Sequence, residues 1–229
     1  MISFSWRGFA AGTATVVITA SAVVMTALAV HRELAPRDQR SPRQFAEQPD
    51  WLRYAAEGNR VGPVGAPATM VVFVDYQCSA CRAFEARIDA ERAKHPVDLA
   101  IVYRNFPLAA IHPRARAAAV AAECAAEQGK FEAMHGALIA APAGLGAVAF
   151  HNVAQSAQVP DLNAFDYCMR DSLTAIRLAR DDSAARRLKL TGTPTTLVAG
   201  MRVTGVLPEQ ALDSLVGSML AANRHAGER

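Results

Sequence analysis

The sequence has little excess charge, and its basic residues are not concentrated in any one segment. Its 24 lysines and arginines and 21 acidic residues leave a formal net charge of +3. Arginine dominates the basic set but is dispersed, and it is not interleaved with the aromatic residues that make up 7% of the chain. Proteins that bind nucleic acids need a concentrated basic surface. No nucleic-acid partner is therefore expected, and the chain also lacks a glycine-rich phosphate loop and internal repeats.

Cysteine is scarce, with four residues in a chain of 229. A structural zinc site takes four ligands, commonly from two Cys-x-x-Cys pairs, and this chain has one such pair, Cys78 and Cys81. The other two cysteines, Cys124 and Cys168, are far apart, and the six histidines show no metal-binding spacing. We expect no metal site, and we favour redox chemistry over zinc binding or incidental pairing for Cys78 and Cys81.

The Cys78–Cys81 pair follows the apolar run 70–74, where a buried strand is predicted to end and a helix to begin. The first turn of a helix presents unpaired backbone N–H groups and the positive end of the helix dipole. A thiolate placed there is stabilised, so its pKa falls below the free value of about 8.5. We expect Cys78 to be the exposed nucleophile and Cys81, one helical turn on, to be the more buried resolving thiol.

A proline at the entry of a late strand is the second informative element. Pro194 follows Gly192 and Thr193 and precedes the β-branched segment 195–198. Proline tolerates a cis peptide bond far better than other residues do, although a trans proline is also acceptable at the first position of a strand. The chain here resembles the thioredoxin-fold family, and its DsbA-like branch in particular. The resemblance implies that Pro194 is cis, that Thr193 faces the cysteine pair, and that both orient the substrate chain.

The predicted order of elements is β-α-β, then a helical block, then β-β-α. The strands are predicted at 69–74, 99–106, 195–198 and 202–206, with a short edge strand within 59–67. The helices are predicted at 79–94, 112–127, 130–140, 145–157, 162–170, 171–189 and 208–223. On the helix 79–94 we expect Phe84 and Ile88 to face inward and the charged residues to face mainly outward (Arg82, Glu85, Arg87, Asp89, Glu91). This order predicts an α/β thioredoxin fold with a helical insertion, about 110–190, between the βαβ and ββα halves.

The resemblance to the DsbA-like family covers about 61–222 and rests on four segments (73–78, 103–108, 112–113 and 192–194). It implies thiol–disulfide exchange without a cofactor, because the cysteine pair itself carries two electrons. The most similar members look like membrane-anchored or exported bacterial proteins. Ser79 and Ala80 differ from the Pro-His of strongly oxidising members and from the Gly-Pro of reducing thioredoxins, so the redox direction stays open.

Three further features have two interpretations each. Asp75 is either a proton relay to Cys81 or a loop carboxylate that caps the following helix. Cys124 and Cys168 either form a structural disulfide, worth about 4 kcal/mol in the chain-entropy model, or remain buried free thiols. Export favours the disulfide. His112 either stabilises a thiolate or is a surface group at the start of a helix.

The N-terminal 30 residues are predicted to be a membrane anchor or a signal segment. Residues 9–30 contain no charged side chain and are long enough to span a bilayer, which needs about 20 residues. Ala27-Leu28-Ala29 offers a cleavage site, although we slightly favour an uncleaved anchor. A polar tether is predicted at 31–58, with a short helix around 44–57 that docks through three side chains (Trp51, Leu52, Tyr54), and the DsbA-like domain is predicted at 59–224.

The orientation signals conflict. Four arginines follow the apolar segment closely (Arg32, Arg37, Arg40 and Arg43), and the positive-inside rule would place the domain that follows in the cytoplasm. A disulfide-exchange domain behind an N-terminal apolar segment instead usually faces an oxidising compartment. We favour the cell envelope, with the domain facing the periplasm or the exterior, or secreted to the periplasm if the segment is cleaved.

The sequence therefore predicts a thiol–disulfide oxidoreductase that introduces disulfides into cysteine-containing exported proteins through Cys78 and Cys81. A membrane redox partner that the sequence does not identify would re-oxidise the pair. Two alternatives stay open. The first is a reductase or isomerase on the same fold, which Thr193 favours by resemblance. The second is a non-catalytic binding or chaperone module, against which the intact cysteine pair argues.

Overall fold

The computed structural model describes residues 45–141, 145, 149–171 and 174–227, which belong to one compact unit, Pro42–Arg229. The predicted anchor or signal segment at 1–30 and the first part of the predicted tether lie outside these residues. Among the helices that the model describes, none is long and apolar enough to cross a membrane.

A mixed β-sheet forms the centre of the domain. Within the described residues it has six strands in the order β1-β6-β5-β3-β4-β2. The strands are β1 (Phe45–Glu47), β2 (Asn59–Val61), β3 (Ala68–Val74), β4 (Leu99–Asn105), β5 (Thr195–Val198) and β6 (Met201–Thr204). β3 is parallel to β4 and antiparallel to β5. Because β3 has a strand on either side and cover on both faces, its apolar run is almost wholly buried, as predicted.

Helices join and cover the strands. They are a 3-10 helix (Trp51–Glu57), α1 (Ser79–Lys94), α2 (Ala115–Ala126), α3 (Phe131–Ala140), α4 (Phe150–Ser156), α5 (Leu162–Arg170), α6 (Thr174–Arg187) and α7 (Glu209–Gly227). α1 connects the parallel strands β3 and β4. Helices α2 to α6 lie between β4 and β5 in the chain. The predicted thioredoxin fold with a helical insertion between its two halves is confirmed.

The two faces of the sheet build two hydrophobic clusters. Side chains alternate between the faces along a strand, so Met70 and Val72 of β3 pack with Phe84 and Ile88 of α1. Phe73, on the other face, packs with residues of the 3-10 helix and of α6 (Trp51, Tyr54, Ala184). α1, which begins directly after Cys78 and contains Cys81, is therefore held against the sheet by the larger cluster.

Residues 45–58 belong to the folded domain, so the predicted boundary at residue 59 is too late. β1 pairs with β6, with Phe45 opposite Val203. The 3-10 helix buries Trp51 and Tyr54 as predicted, but Leu52 is 61% exposed, so its predicted docking is wrong. A three-residue edge strand is too short to show a period-two pattern, and only its pairing with β6 reveals it.

Two acidic residues of α1 that were predicted to face outward are buried. Glu85 is 7% and Glu91 is 1% exposed. Tyr103 of β4 donates a hydrogen bond to Glu85 (2.5 Å), and Lys94 pairs with Glu91 (3.0 Å). A buried carboxylate is tolerated when it has such partners. Periodicity alone misses Glu85, because its partner lies 18 residues further along the chain.

Candidate active site

The junction of β3 and α1 places the two redox cysteines one helical turn apart. Cys78 is the residue that precedes the first turn of α1, and its backbone N–H donates to the carbonyl oxygen of Asp75 (3.1 Å). Cys78 is half-buried, whereas Cys81 is on the buried side of α1 and is 2% exposed. Both thiols are unbridged. The structure thus has one accessible and one buried thiol.

Hydrogen bonds around Cys78 favour its thiolate. The thiol of Cys81 donates to the Cys78 sulfur and is the largest cause that lowers the pKa of Cys78, to about 5. Partial burial opposes this shift, while the Thr193 side chain and the backbone N–H groups of Cys81 and Ala80 add to it. These N–H groups are the unpaired donors of a helix N-terminus. Cys78 is therefore ionised at neutral pH.

Cys81 behaves in the opposite way. Its hydrogen bond to Cys78 and its burial both raise the pKa of the Cys81 thiol, and the backbone N–H of Asp75 offsets this in part. Cys81 consequently remains a thiol while Cys78 carries the charge. One nucleophile and one proton-bearing partner is the division of work that thiol–disulfide exchange needs.

The loop before β5 lies against Cys78. The peptide bond between Thr193 and Pro194 is cis. The Cys78 sulfur lies 3.4 Å from the Thr193 carbonyl oxygen, across 115 residues of sequence, and donates a hydrogen bond to it only in the thiol form. Pairing of β5 with β3, with Phe73 opposite Thr195, brings this loop to the cysteine pair. The sequence-predicted residues Cys78, Cys81 and Thr193 are thus neighbours, and their part in holding substrate stays a prediction.

Asp75 connects two loops at the edge of the site. Its buried carboxylate accepts hydrogen bonds from the backbone N–H groups of Gln77 and Leu108, both at 2.8 Å. Its Oδ2 also lies 2.8 Å from Nδ1 of His112. None of these three partners is a backbone N–H of α1, so the predicted capping role of Asp75 is wrong. Its predicted role as a proton relay stays a prediction, and His112 is its partner.

Cys124 and Cys168 are joined by a disulfide between α2 and α5. Both residues are buried in the helical insertion, with Cys124 1% exposed. Neither is therefore a free thiol that exchanges with Cys78. The bridge closes a loop of 44 residues within the insertion and holds two of its helices together.

Sequence reasoning missed a polar cluster beneath α1. The Tyr76 hydroxyl lies 3.1 Å from Nδ1 of His135, and Nε2 of His135 lies 3.3 Å from Glu85 Oε2. Tyr103 completes the cluster through Glu85. The available signal was the position of Glu85, one helical turn after Cys81. The site also shows no metal-binding arrangement within the described residues, because no group of three or more His, Cys, Asp or Glu side chains there is placed to hold a metal ion.

Comparison with known proteins agrees with this geometry. The model of a family described as thioredoxin matches residues 55–217. A thioredoxin-like oxidoreductase from Silicibacter pomeroyi DSS-3 superimposes with a TM-score of 0.65 at 26% identity, covering 74% of this chain and 95% of that one. A periplasmic thioredoxin-like protein from Salmonella enterica serovar Typhimurium gives a TM-score of 0.63 at 23% identity, covering 76% and 99%.

A curated relative is longer than this chain. The protein is 36% identical over 163 residues to the Na(+)/H(+) antiporter NhaA 3 of Salinispora tropica, a match that covers 71% of this chain and 25% of the antiporter. The chain thus spans about a quarter of the length of the curated relative it matches. From the family match, the fold and the paired cysteines, we conclude that the chain belongs to the thioredoxin family, with the helical insertion of its DsbA-like members.

Proposed function

We propose that this protein introduces disulfides into cysteine-containing exported proteins. The observation that carries the proposal is the stabilised thiolate of Cys78, whose pKa is lowered to about 5. A stabilised thiolate favours the reduced form of the pair, so its disulfide is a strong oxidant. The same thiolate is a good leaving group, which speeds release of the oxidised substrate.

The reaction transfers two electrons from a substrate dithiol to the Cys78–Cys81 disulfide. A substrate thiolate attacks the Cys78 sulfur, the bond between Cys78 and Cys81 breaks, and Cys81 leaves with the electron pair and takes up a proton. The second substrate thiolate then attacks the substrate sulfur of the mixed disulfide. The substrate disulfide forms, and Cys78 leaves as a thiolate that the helix N-terminus stabilises.

Substrate orientation is assigned to Thr193 and Pro194. The loop that contains them lies beside the Cys78 sulfur, where an extended substrate segment would cross it. Proline has no backbone N–H, so Thr193 and the residues around it supply the polar backbone groups that such a segment pairs with. No cofactor takes part, because both electrons stay on sulfur.

The proposed location is the cell envelope, with residues 1–30 as a membrane anchor or a cleaved signal segment. Three observations support it. The segment 9–30 is apolar and uncharged, the Cys124–Cys168 disulfide suits an oxidising compartment, and a similar structure is a periplasmic protein. A membrane redox partner would re-oxidise the pair. Na(+)/H(+) antiport is not part of the proposal, since the match covers a quarter of the antiporter.

The reduction potential of Cys78–Cys81 tests the direction. The full-length protein is equilibrated in detergent against glutathione buffers, and the fraction of oxidised pair is read after alkylation. We expect a value closer to that of a strong oxidant, about −120 mV, than to that of a reducing thioredoxin, about −270 mV. A value near the reducing end would contradict the proposal and support a reductase or isomerase.

The Cys78→Ser variant tests the remaining alternative. An oxidoreductase loses its exchange activity with this change, whereas a binding or chaperone module would still suppress aggregation of a reduced, unfolded substrate as the parent does. The matched control is Ser79→Ala, which leaves both sulfurs in place.

A further inference from the structure

A buried polar cluster lies beneath α1, and the exchange reaction as described does not use it. It consists of Tyr76, Glu85, Tyr103 and His135, each no more than 7% exposed. The ring of Tyr103 lies 4.1 Å from the ring of His135, between centroids, and Phe131 packs against both rings. Burying an ionisable pair such as Glu85 and His135 in apolar surroundings costs free energy. Such a pair is therefore a candidate for a functional role.

The cluster can gain or lose one proton without moving a heavy atom. When His135 is neutral, the Tyr76 hydroxyl donates to Nδ1 at 3.1 Å, and the buried Nε2 lies 3.3 Å from Glu85 Oε2 without a hydrogen-bond partner. When His135 is protonated, Nδ1 donates to the Tyr76 oxygen and only the hydroxyl hydrogen turns. Tyr103 donates to Glu85 in both states. The positions of the heavy atoms are therefore compatible with both the protonated and the deprotonated cluster.

Cys81 is the neighbouring group that needs such a proton. Glu85 follows Cys81 by four residues on α1, a spacing that brings side chains to about 5–6 Å between Cβ atoms. Tyr76 and Cys81 pack in the same hydrophobic cluster. Burial first, and then the charges of Glu123, Glu85 and Cys81, raise the pKa of Tyr76. Bulk water is an inefficient acceptor for Cys81, which is 2% exposed.

Asp75 is less suited to this task. Its carboxylate already accepts two backbone N–H groups and contacts His112. Protonating it would break contacts that hold two loops together. In the Glu85–His135 pair, by contrast, the hydrogen bonds Tyr76–His135 and Tyr103–Glu85 can persist in both protonation states.

We propose that the Glu85–His135 pair is the proton reservoir for Cys81 during exchange. When Cys81 attacks a mixed disulfide at Cys78, its thiol proton passes to the pair, the bond between Cys78 and Cys81 forms, and the former partner leaves as a thiolate with the electron pair. When the Cys78–Cys81 disulfide is opened, the pair returns the proton to Cys81. The inference rests on thiol–disulfide exchange and holds for either redox direction.

Other charged groups act on the same cluster and contribute to its pH response. They are Asp89 and Arg92 on α1, Glu123 on α2 and Asp181 on α6, and Glu132 on α3 acts on Asp89. Each of them is retained in the variants below, so a change in pH profile reports the pair itself.

The test follows the full-length protein, with its Cys78–Cys81 pair reduced, as it reacts with 5,5′-dithiobis(2-nitrobenzoate). Attack by Cys78 releases one thionitrobenzoate, and attack by Cys81 on the resulting mixed disulfide releases a second. We expect Glu85→Gln and His135→Gln to slow the second release at least about tenfold at pH 7, as loss of a general base does. Its rate should then rise in proportion to hydroxide up to pH 9, while the first release keeps the parent rate.

The rates of the first and second thionitrobenzoate release test the exchange function and the proton reservoir separately. If the parent gives no first release, exchange at Cys78 fails and the proposed function fails with it. If folded Glu85→Gln and His135→Gln keep the parent rate and pH profile of the second release, the reservoir is overturned while exchange stands. Glu91→Gln, which alters a buried carboxylate further along α1, is the control and should leave both releases unchanged.

Tyr76→Phe keeps the test decisive if the buried substitutions prevent folding. The change removes the oxygen that accepts a hydrogen bond from protonated His135, so the protonated pair loses a contact that stabilises it. We expect the second release to slow at least about threefold, a partial loss of general-base catalysis, with circular dichroism unchanged. Tyr54→Phe, on the other face of the sheet, is the matched control. A parent-like second release in Tyr76→Phe would overturn the proposal.

Discussion

The two cysteine pairs consist of the same residue type in opposite environments, one as free thiols and the other as a disulfide. Cys78 and Cys81 sit two residues apart at the N-terminus of a helix, where donors surround an accessible sulfur. Cys124 and Cys168 join two helices across 44 residues, and both are buried among apolar side chains. The first pair presents a stabilised thiolate, whereas the second pair is a buried disulfide. Position in the fold, rather than residue type, separates a redox site from a structural bridge.

Removing the Cys78 sulfur should have the largest effect on this contrast. With Cys78→Ser we expect turnover of a dithiol peptide to fall by about 10³-fold or more, because a hydroxyl does not ionise at neutral pH and is a weak nucleophile. The measurement is peptide oxidation followed by fluorescence. Cys124→Ala/Cys168→Ala is the comparison variant, and turnover should survive in it. Loss of turnover in the folded double variant would break the distinction between the pairs.

The double variant Cys124→Ala/Cys168→Ala should be less stable than the parent. Loss of the bridge is expected to lower the free energy of unfolding by about 4 kcal/mol, because the unfolded chain regains the entropy of a 44-residue loop. Urea unfolding monitored by circular dichroism, with Cys78 and Cys81 reduced, measures it. Cys78→Ser/Cys81→Ser, which removes two sulfurs without opening a large loop, should lower stability far less. Equal losses in the two double variants would contradict the entropic account.

The pH dependence of Cys78 alkylation tests whether this pair, unlike the structural disulfide, presents a stabilised thiolate. Alkylation by iodoacetamide should reach half its maximal rate near pH 5, the pKa of Cys78, and fall about tenfold per pH unit below it. Because the folded pKa is depressed from 9.0, the thiolate stabilises the folded dithiol form fully above pH 9, and this contribution is lost as the pH falls through about 5. A half-maximal rate near pH 8.5, as in a free thiol, would contradict thiolate stabilisation.

A smaller effect on the free energy of unfolding is expected from a change at Asp75, whose carboxylate joins the loops beside the cysteine pair. Asp75→Asn weakens three contacts in a buried site and should lower the free energy of unfolding by about 1–3 kcal/mol, with little change in the second thionitrobenzoate release. Asp166→Asn is the control. It alters an exposed contact with His151 of similar length, 2.9 Å, and should cost less than about 1 kcal/mol. A large loss of the second release in Asp75→Asn would instead support Asp75 as the proton relay.

The local parts of the fold were predictable because their signals lie within a few residues of one another. The bounds of α1, 79–94, coincide with those predicted, since an apolar strand precedes the helix and Pro96 prevents it from continuing. The inward direction of Phe84 and Ile88 follows from their spacing. The helical insertion was predictable for the same reason, because alanine favours helix over long segments.

The missed parts depend on partners that are distant in sequence. β1 is recognisable only through β6, which pairs with it across about 150 residues. The burial of Glu85 depends on Tyr103 and His135. A charged side chain is read as exposed unless its partner is known, and a single sequence does not contain that pairing.

Sequence alone was enough to predict the redox motif, the order of the strands and helices from β2 onward, and the position of Cys78 at a helix start. These follow from short-range physics: side-chain periodicity, proline stereochemistry and the free N–H groups of a first turn. Long-range packing brings the Thr193 loop to Cys78, lets Asp75 join two loops, and assembles the polar cluster beneath α1. The reason is that contacts between strands and helices far apart in the chain arise from packing, which no local pattern encodes.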